Sequence, residues 1–336
     1  MTGHTGFKGT WLCWLLSALG AEVYGFALPP RPGCLYERAK PPMAGEAAAD
    51  IRDRVSVQRA VANFQPDLIF HLAAHSYLNG SYEYPADIFE INVMGTVGLL
   101  ETIRSSGRRI PTVVVTSDKC YAQQMNGQPC RETDPFGAAE AYSTSKACQD
   151  LAAQCYCRSF PEMAVATARA SNTIGGGDFN MTRLLPHLLD CFSNGVPARL
   201  RNPGFVRPWQ YVLDVLWGYL TLGKALTEGH LHGDTSFNFG PAPDGFQTVG
   251  NVAELLAAHF PNAQYEKQES GRSGETEVLR LDSDKAQQIL RWKPICSLEE
   301  TLAQAAAFQN GLAHLPAVQL CREQVEYYID RTEIQV

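Results

Sequence analysis

Three glycines at three-residue spacing, Gly3-His4-Thr5-Gly6-Phe7-Lys8-Gly9, open directly into a run in which Trp11, Leu12, Leu15, Leu16 and Leu19 are apolar. Those five positions share one face of an α-helix. A glycine turn entering a helix leaves backbone N–H groups bare at the positive helix end, where a pyrophosphate can approach. Such a turn ordinarily follows a central β-strand, yet only Met1 and Thr2 precede it. The expectation is a truncated first strand, with a start codon inside the gene and about 5–8 residues of strand upstream. Without them the sheet should have a gap at its centre and be poorly stable.

The rest of the first half alternates strand and helix. Ala21–Ala27 predicts a strand that ends without an acidic residue, so NAD and NADP are not distinguished there. Asp50-Ile51-Arg52-Asp53 predicts a strand end and helix cap, with Asp50 and Ile51 placed to touch an adenine. Asp67–Ala74 predicts a buried strand whose last residues, Leu72, Ala73 and Ala74, are small enough for a cofactor to press close. Tyr84–Ile103 predicts a long helix in which Asn92 braces the site.

Val165–Arg169 is a further strand leading to the glycine-rich Ser171–Phe179, after which the rhythm becomes irregular. The implied class is α/β: a doubly wound parallel sheet with a smaller C-terminal substrate-binding lobe. The nucleotide domain takes 1–170, with 209–242 returning to it; the lobe takes 171–208 and 243–330.

The chemistry concentrates after Val113-Val114-Val115, where Thr116-Ser117-Asp118-Lys119-Cys120-Tyr121 is followed by Tyr142-Ser-Thr-Ser-Lys146. A Tyr and a Lys four apart on a helix share a face, and the ammonium can lower the phenol toward working pH, making it a general base. Arg199, Arg201, Arg207, Trp209, Gln210 and Tyr211 gather cations and aromatic rings suited to a diphosphate and a base.

The net charge of −7, with no basic stripe, argues against nucleic acid and anionic membranes as partners. No apolar run reaches the roughly 18 residues that span a bilayer. Ten cysteines without Cys-x-x-Cys spacing suit free thiols in a reducing cytoplasm and offer no zinc set, so no metal is expected.

Taken together, Gly3–Gly9, Thr116–Tyr121, Tyr142-x-x-x-Lys146, Ile174-Gly-Gly-Gly-Asp178 and Arg207-Pro-Trp-Gln210 resemble the CDP-glucose 4,6-dehydratases. These are extended short-chain dehydrogenase/reductase enzymes with a Rossmann-type sheet, and the likeness runs from Met1 to about Phe308. The resemblance implies a tightly held NAD, with NADP not excluded, and a nucleotide-diphosphate sugar substrate. Cofactor contacts would come from Gly3, Thr5, Gly6, Phe7, Lys8, Gly9, Asp50, Ile51, Leu72–Ala74, Asn92, Thr116, Tyr142 and Lys146. It further implies that Tyr142 takes the O4 proton, Lys119 the C5 proton, Asp118 protonates the departing O6, and Thr116 bonds the O4 region. Asn172, Gly177, Arg183, Arg201, Arg207 and Gln210 would meet the substrate.

The chain departs from the family at 75–82, where an arginine pair is absent, at Ala139-Glu140-Ala141, at Tyr211 and around Gly274-Glu275-Thr276. All lie where sugar or base is expected. An epimerase or pyranose–furanose mutase on the same scaffold is the alternative, and a non-enzymatic dinucleotide sensor a remote one. A homodimer or higher oligomer, paired through 84–103 and 142–160, is implied by the same resemblance.

Overall fold

The computed structural model describes the chain except residues 77–79, 123–126, 138–139, 232, 234, 269–276 and 334–336. The departures within 77–79, at Ala139 and at Gly274–Thr276 lie outside the described residues.

Gly6 starts helix α1 (Phe7–Ala18) without a side-chain cap, and α1 buries Trp11, Leu12 and Leu15. Strands β1 (Tyr24–Ala27) and β2 (Gly45–Ala48) pair in parallel. A second parallel set runs β3 (Ile69–His71), β4 (Thr112–Val115), β5 (Val165–Ala170) and β9 (Ser236–Phe239). Thr2 joins the two sets through parallel bridges to Phe26 and His71. Its amide donates to Phe70 O, while Leu72 N donates to Thr2 O and Phe26 N to Met1 O.

The sheet order is therefore β2-β1-Thr2-β3-β4-β5-β9, and winding reverses at Thr2, where the glycine loop begins. The expected first strand is present as two residues. Beside them lies a small apolar cavity of about 50 Å³, lined by Tyr24, Phe26, Ile51, Val57, Phe64 and Ile69 among others, while the sheet itself runs unbroken through Thr2. Strands covered on both faces need continuous apolar runs, and β4 is buried throughout.

Short helix α2 (Leu35–Ala39) sits beside α1. Asp53 caps α3 (Arg54–Phe64) by accepting from Val55 N and Ser56 N. The helix expected over Tyr84–Ile103 is present as an unbroken run of α5 (Pro85–Phe89), a π-helical turn (Glu90–Met94) and α6 (Gly95–Ser105), preceded by the short α4 (Gly80–Glu83). Buried Asn92 occupies that wider turn. Helix α7 (Ala141–Ser159) packs on β5 and against α5 and α6.

The lobe is built on β6 (Asn172–Ile174), β8 (Val206–Tyr211) and β10 (Phe246–Thr248), with β7 (Ala198–Arg201) pairing β11 (Tyr265–Gln268). Helices α8 (Leu184–Ser193), α10 (Val249–Ala257) and α12 (Leu298–Gly311) close a second core around Leu188, Trp209, Val252, Leu256 and Leu302.

Two placements differ from the expected boundaries. Strand β8 carries 209–211 into the lobe's sheet before α9 (Val212–Thr227) returns to cover β4 and β5. After α11 (Asp284–Leu290), the last helix, α13 (Ala317–Glu333), packs on α1 and α2, and its Leu320, Val325 and Tyr328 join the nucleotide-domain core.

Candidate active site

Strand β4 ends at Val115, and Ser117 continues extended at φ −160°, ψ 153° before a 3-10 turn over Asp118–Cys120. Across from it Glu140 caps α7, accepting from Tyr142 N at 2.7 Å and Ser143 N at 2.9 Å. This cap places Tyr142 in the first turn and Lys146 one turn later. Lys146 is 3% exposed, and its Nζ donates to Val115 O at 3.2 Å and Gln149 Oε1 at 2.8 Å.

Asp118 is buried, with Oδ1 accepting from Ser117 Oγ at 3.1 Å. Among the described residues its Oδ2 meets no hydrogen-bond partner. Burial raises the Asp118 pKa against the opposing charges of Lys119 and Lys8, which favours a protonated acid. Half-buried Lys119 follows in the same turn. At this strand end the charge of Lys119 acts on Asp118, and that of Asp118 on Tyr142.

The Tyr142 phenol is pushed up to about 12, first by burial, with a hydrogen bond to Ser117 opposing. This is opposite to the expected lowering. Its reason is burial, which disfavours a charged phenolate, joined by the negative charges of Asp118 and Glu140.

Thr116 also differs from expectation. Its hydroxyl donates to Asp150 Oδ2 at 2.9 Å, inside the protein. Successive side chains on extended backbone face opposite sides, so Ser117, not Thr116, faces Asp118 and Tyr142.

The glycine loop can hold a dinucleotide. Gly3 has φ +73°, and a Cβ there would lie 2.7 Å from Ala73 N; on Gly9 a Cβ would lie 2.2 Å from Gly3 O. The backbone therefore closes tightly on the end of β3, while exposed Gly6 leaves the first turn of α1 open, with no acidic residue in it. Those bare amides suit a pyrophosphate. Thr5 Oγ1 donates to Leu28 O, beyond the end of β1. Asp50 is bound by Arg52, and Ile51 is buried against α6. Asn92 braces the site: Oδ1 accepts from His75 N at 2.8 Å, and Nδ2 donates to Ser145 Oγ at 2.8 Å.

Lys8 contributes more than a backbone amide. Its Nζ lies 3.4 Å from Tyr219 Oη, and its charge acts on Asp118 and Lys146. Burial, then Arg183, lowers its own pKa to about 8.

Of the substrate candidates, Arg183 joins this group: it pairs with Asp178 at 2.8 Å, and its charge reaches Tyr142 and Lys8. Asn172 opens β6, half-buried, and Arg201 is exposed on β7. Arg207 donates to Val206 O and Glu277 O. Gln210 is interior, accepting from Ser171 Oγ and donating to Gly240 O, so both its polar ends are committed. Gly177 has φ +79° and packs against Leu35. Trp209 and Tyr211 are core residues, Trp209 donating to Gln247 O and Tyr211 to Gln324. Aromatic bulk at those two positions fills the interior, and neither ring can flank a base.

Behind the site, Asp150, one turn beyond Lys146, pairs with Arg169 of β5, whose Nη1 donates to Tyr121 Oη at 2.7 Å. Tyr121 in turn donates to Asn238 on β9. Neither residue was singled out along the sequence, since the pair joins α7 to β5 across 19 residues.

The chain is similar in sequence and in fold to known proteins. The chain is 35% identical to the CDP-glucose 4,6-dehydratase of Salmonella typhimurium over 99% of its own length and 96% of that protein's. In structure it resembles the UDP-glucose 4-epimerase of Thermus thermophilus, solved with NAD, at TM-score 0.79 and 23% identity, covering 92% and 98% of the two chains. It also resembles the dTDP-glucose 4,6-dehydratase of Bacillus anthracis, solved with NAD, at TM-score 0.78 and 21% identity, covering 92% and 95%. The family model described as NAD dependent epimerase/dehydratase matches residues 1–238. By the match to the family model and by sequence identity, the chain belongs to the NAD-dependent epimerase/dehydratase family.

Proposed function

We propose that this protein is an NAD-dependent nucleotide-sugar 4,6-dehydratase that converts CDP-glucose to CDP-4-keto-6-deoxyglucose with loss of one water. NAD, when bound, supplies the hydride chemistry, accepting from C4 and returning to C6. The protein's own residues move the protons. Tyr142 takes the O4 proton, helped by the Lys146 charge, and the Ser117 hydroxyl hydrogen-bonds O4. A ketone at C4 acidifies C5–H; Lys119 removes that proton and Asp118 protonates the departing O6 hydroxyl.

The single observation that carries this reading is buried Asp118, its carboxyl pKa raised and one oxygen without a partner among the described residues, next to Lys119 and Tyr142. An epimerase needs the Tyr–Lys pair but no acid for a leaving hydroxyl. The 35% identity to a CDP-glucose enzyme favours cytidine over other bases.

The test is incubation with CDP-glucose, and in parallel with dTDP- and UDP-glucose, following the alkaline absorbance of a 4-keto-6-deoxy product. Product from CDP-glucose supports the reading. Inversion at C4 without loss of water from any of the three substrates would replace it with the epimerase. Two further parts of the reading are a cytoplasmic setting, supported by free cysteines, and a homodimer formed through α5–α6 and α7, where Met94 and Leu151 are 54% and 52% exposed. A monomer mass in solution would remove the dimer.

A further inference from the structure

The ammonium of Lys146 is held from behind by a buried polar chain reaching the glycine loop. Gln149 Oε1 accepts from Lys146 Nζ at 2.8 Å, and Gln149 Nε2 donates to Thr96 Oγ1 at 2.9 Å. Thr96 gives its one hydroxyl proton to Asn92 O at 2.7 Å. Its oxygen must therefore also receive the contact at 2.9 Å from His71 Nε2, which makes Nε2 the protonated nitrogen. Nδ1 of His71 is then the acceptor for Thr2 Oγ1 at 2.7 Å, and Thr2 Oγ1 accepts from Ala73 N at 3.1 Å. Every proton in this chain has one direction, fixed by the carbonyl of Asn92 at one branch and the amide of Ala73 at the far end. Gln149, Thr96 and His71 have no exposed surface.

We propose that Gln149 is a positioning residue for the reaction: its carboxamide oxygen fixes the Lys146 ammonium and keeps it charged, and so sets how readily Tyr142 ionises. The groups facing Lys146 otherwise leave its charge poorly supported. Lys8 on α1 repels it, His71 on β3 is neutral, and Cys120 on the 3-10 turn is an un-ionised thiol. Asp150, one turn along α7, attracts it but is already bound to Arg169. Tyr142, one turn back, becomes negative only when it ionises. Among the described residues, the neutral acceptors that remain are Val115 O and Gln149 Oε1. Burial and then Lys8 bring the Lys146 pKa down to about 7, so losing one of two acceptors tips it to the neutral amine.

This rests on Tyr142 and Lys146 acting as the base pair, and the test separates it from the substrate assignment. In the NAD-loaded protein, Tyr142 ionisation is read as the tyrosinate difference absorbance between each protein and its Tyr142→Phe counterpart, without sugar. Gln149→Met is expected to raise the pH of that ionisation by about one unit, a tenfold shift. With CDP-glucose it should move the alkaline limb of the rate profile down by a similar amount. Gln149→Glu retains an acceptor beside Lys146 and should move that limb up.

Gln149→Met with unchanged Tyr142 ionisation, even if less stable, would overturn the proposal. If Gln149→Met does not fold, Gln149→Glu with an unmoved limb would do so. A shifted Tyr142 ionisation in a protein that does not dehydrate CDP-glucose would uphold the role of Gln149 and sink only the substrate.

Discussion

Arg169 and Asp150 meet as a two-pronged pair, Nε to Oδ2 at 2.9 Å and Nη2 to Oδ1 at 2.8 Å, with neither side chain exposed. Asp150 also accepts from Thr116 and Thr167, so one carboxylate ties the end of β4 and strand β5 to the helix that carries Tyr142 and Lys146. The Arg169 guanidinium also lies against the rings of Tyr121 and Phe136, at 5.1 and 4.8 Å from their centroids. Arg169→Met should therefore cost about 3–5 kcal/mol, because it strands a buried carboxylate. Urea denaturation measures this; a loss below about 1 kcal/mol would mean the pair is not what anchors α7.

Thr116 and Ser117 should separate cleanly. Ser117→Ala removes a hydroxyl that touches Asp118 and Tyr142 and is expected to lower turnover about 10–100-fold with stability little changed. Thr116→Val removes a donor to Asp150 and is expected to cost about 1–3 kcal/mol of stability with smaller effect on turnover. The reverse pattern in kcat and denaturation midpoint would return the O4-facing role to Thr116.

Asp118→Asn and Lys119→Met should each slow water loss about 100- to 10,000-fold while leaving oxidation at C4 possible. With CDP-glucose the expected sign is absorbance of reduced nicotinamide that persists without 4-keto-6-deoxy product. Wild-type product formation in either variant would remove that residue from the elimination.

Gly9→Ala places a Cβ 2.2 Å from Gly3 O and 2.7 Å from His4 Cα, so the loop must open. NAD binding, followed by calorimetry, should fall at least tenfold. Gly20 also has positive φ, at +83°, but meets no neighbouring atom, and Gly20→Ala should cost only about 1 kcal/mol and leave binding intact. Equal affinity in both variants would disconnect the loop from the cofactor.

His71 predicts an acid limit. Burial, then the Lys146 charge, lowers its pKa to about 3, below the value near 6.5 of an unfolded chain. A depressed folded pKa gives stability that is complete above about 6.5 and is lost as pH falls toward 3. Between pH 7 and 5 the loss should be about 2 kcal/mol. Denaturation of wild type and His71→Gln at the two pH values checks it; equal slopes would acquit His71.

Much of this protein was legible along the chain because the signals were local. A glycine turn, a buried β-branched strand and a Tyr–Lys spacing of four each specify which side chains share a face within one element. The nucleotide-binding half of the fold, the Tyr142–Lys146 pair and the Asp118–Lys119 turn follow from that. Faces meet only in the tertiary structure. Long-range contacts decided that Thr2 completes the sheet, that Ser117 and not Thr116 turns to the site, and that Trp209, Gln210 and Tyr211 are interior. They also decided that Gln149, which spacing on α7 already sets beside Lys146, reaches Thr96 with its other end, and that Arg169 of β5 meets Asp150 of α7. Spacing sets direction within an element; what lies in that direction depends on elements tens of residues away, brought there by burial of the common core.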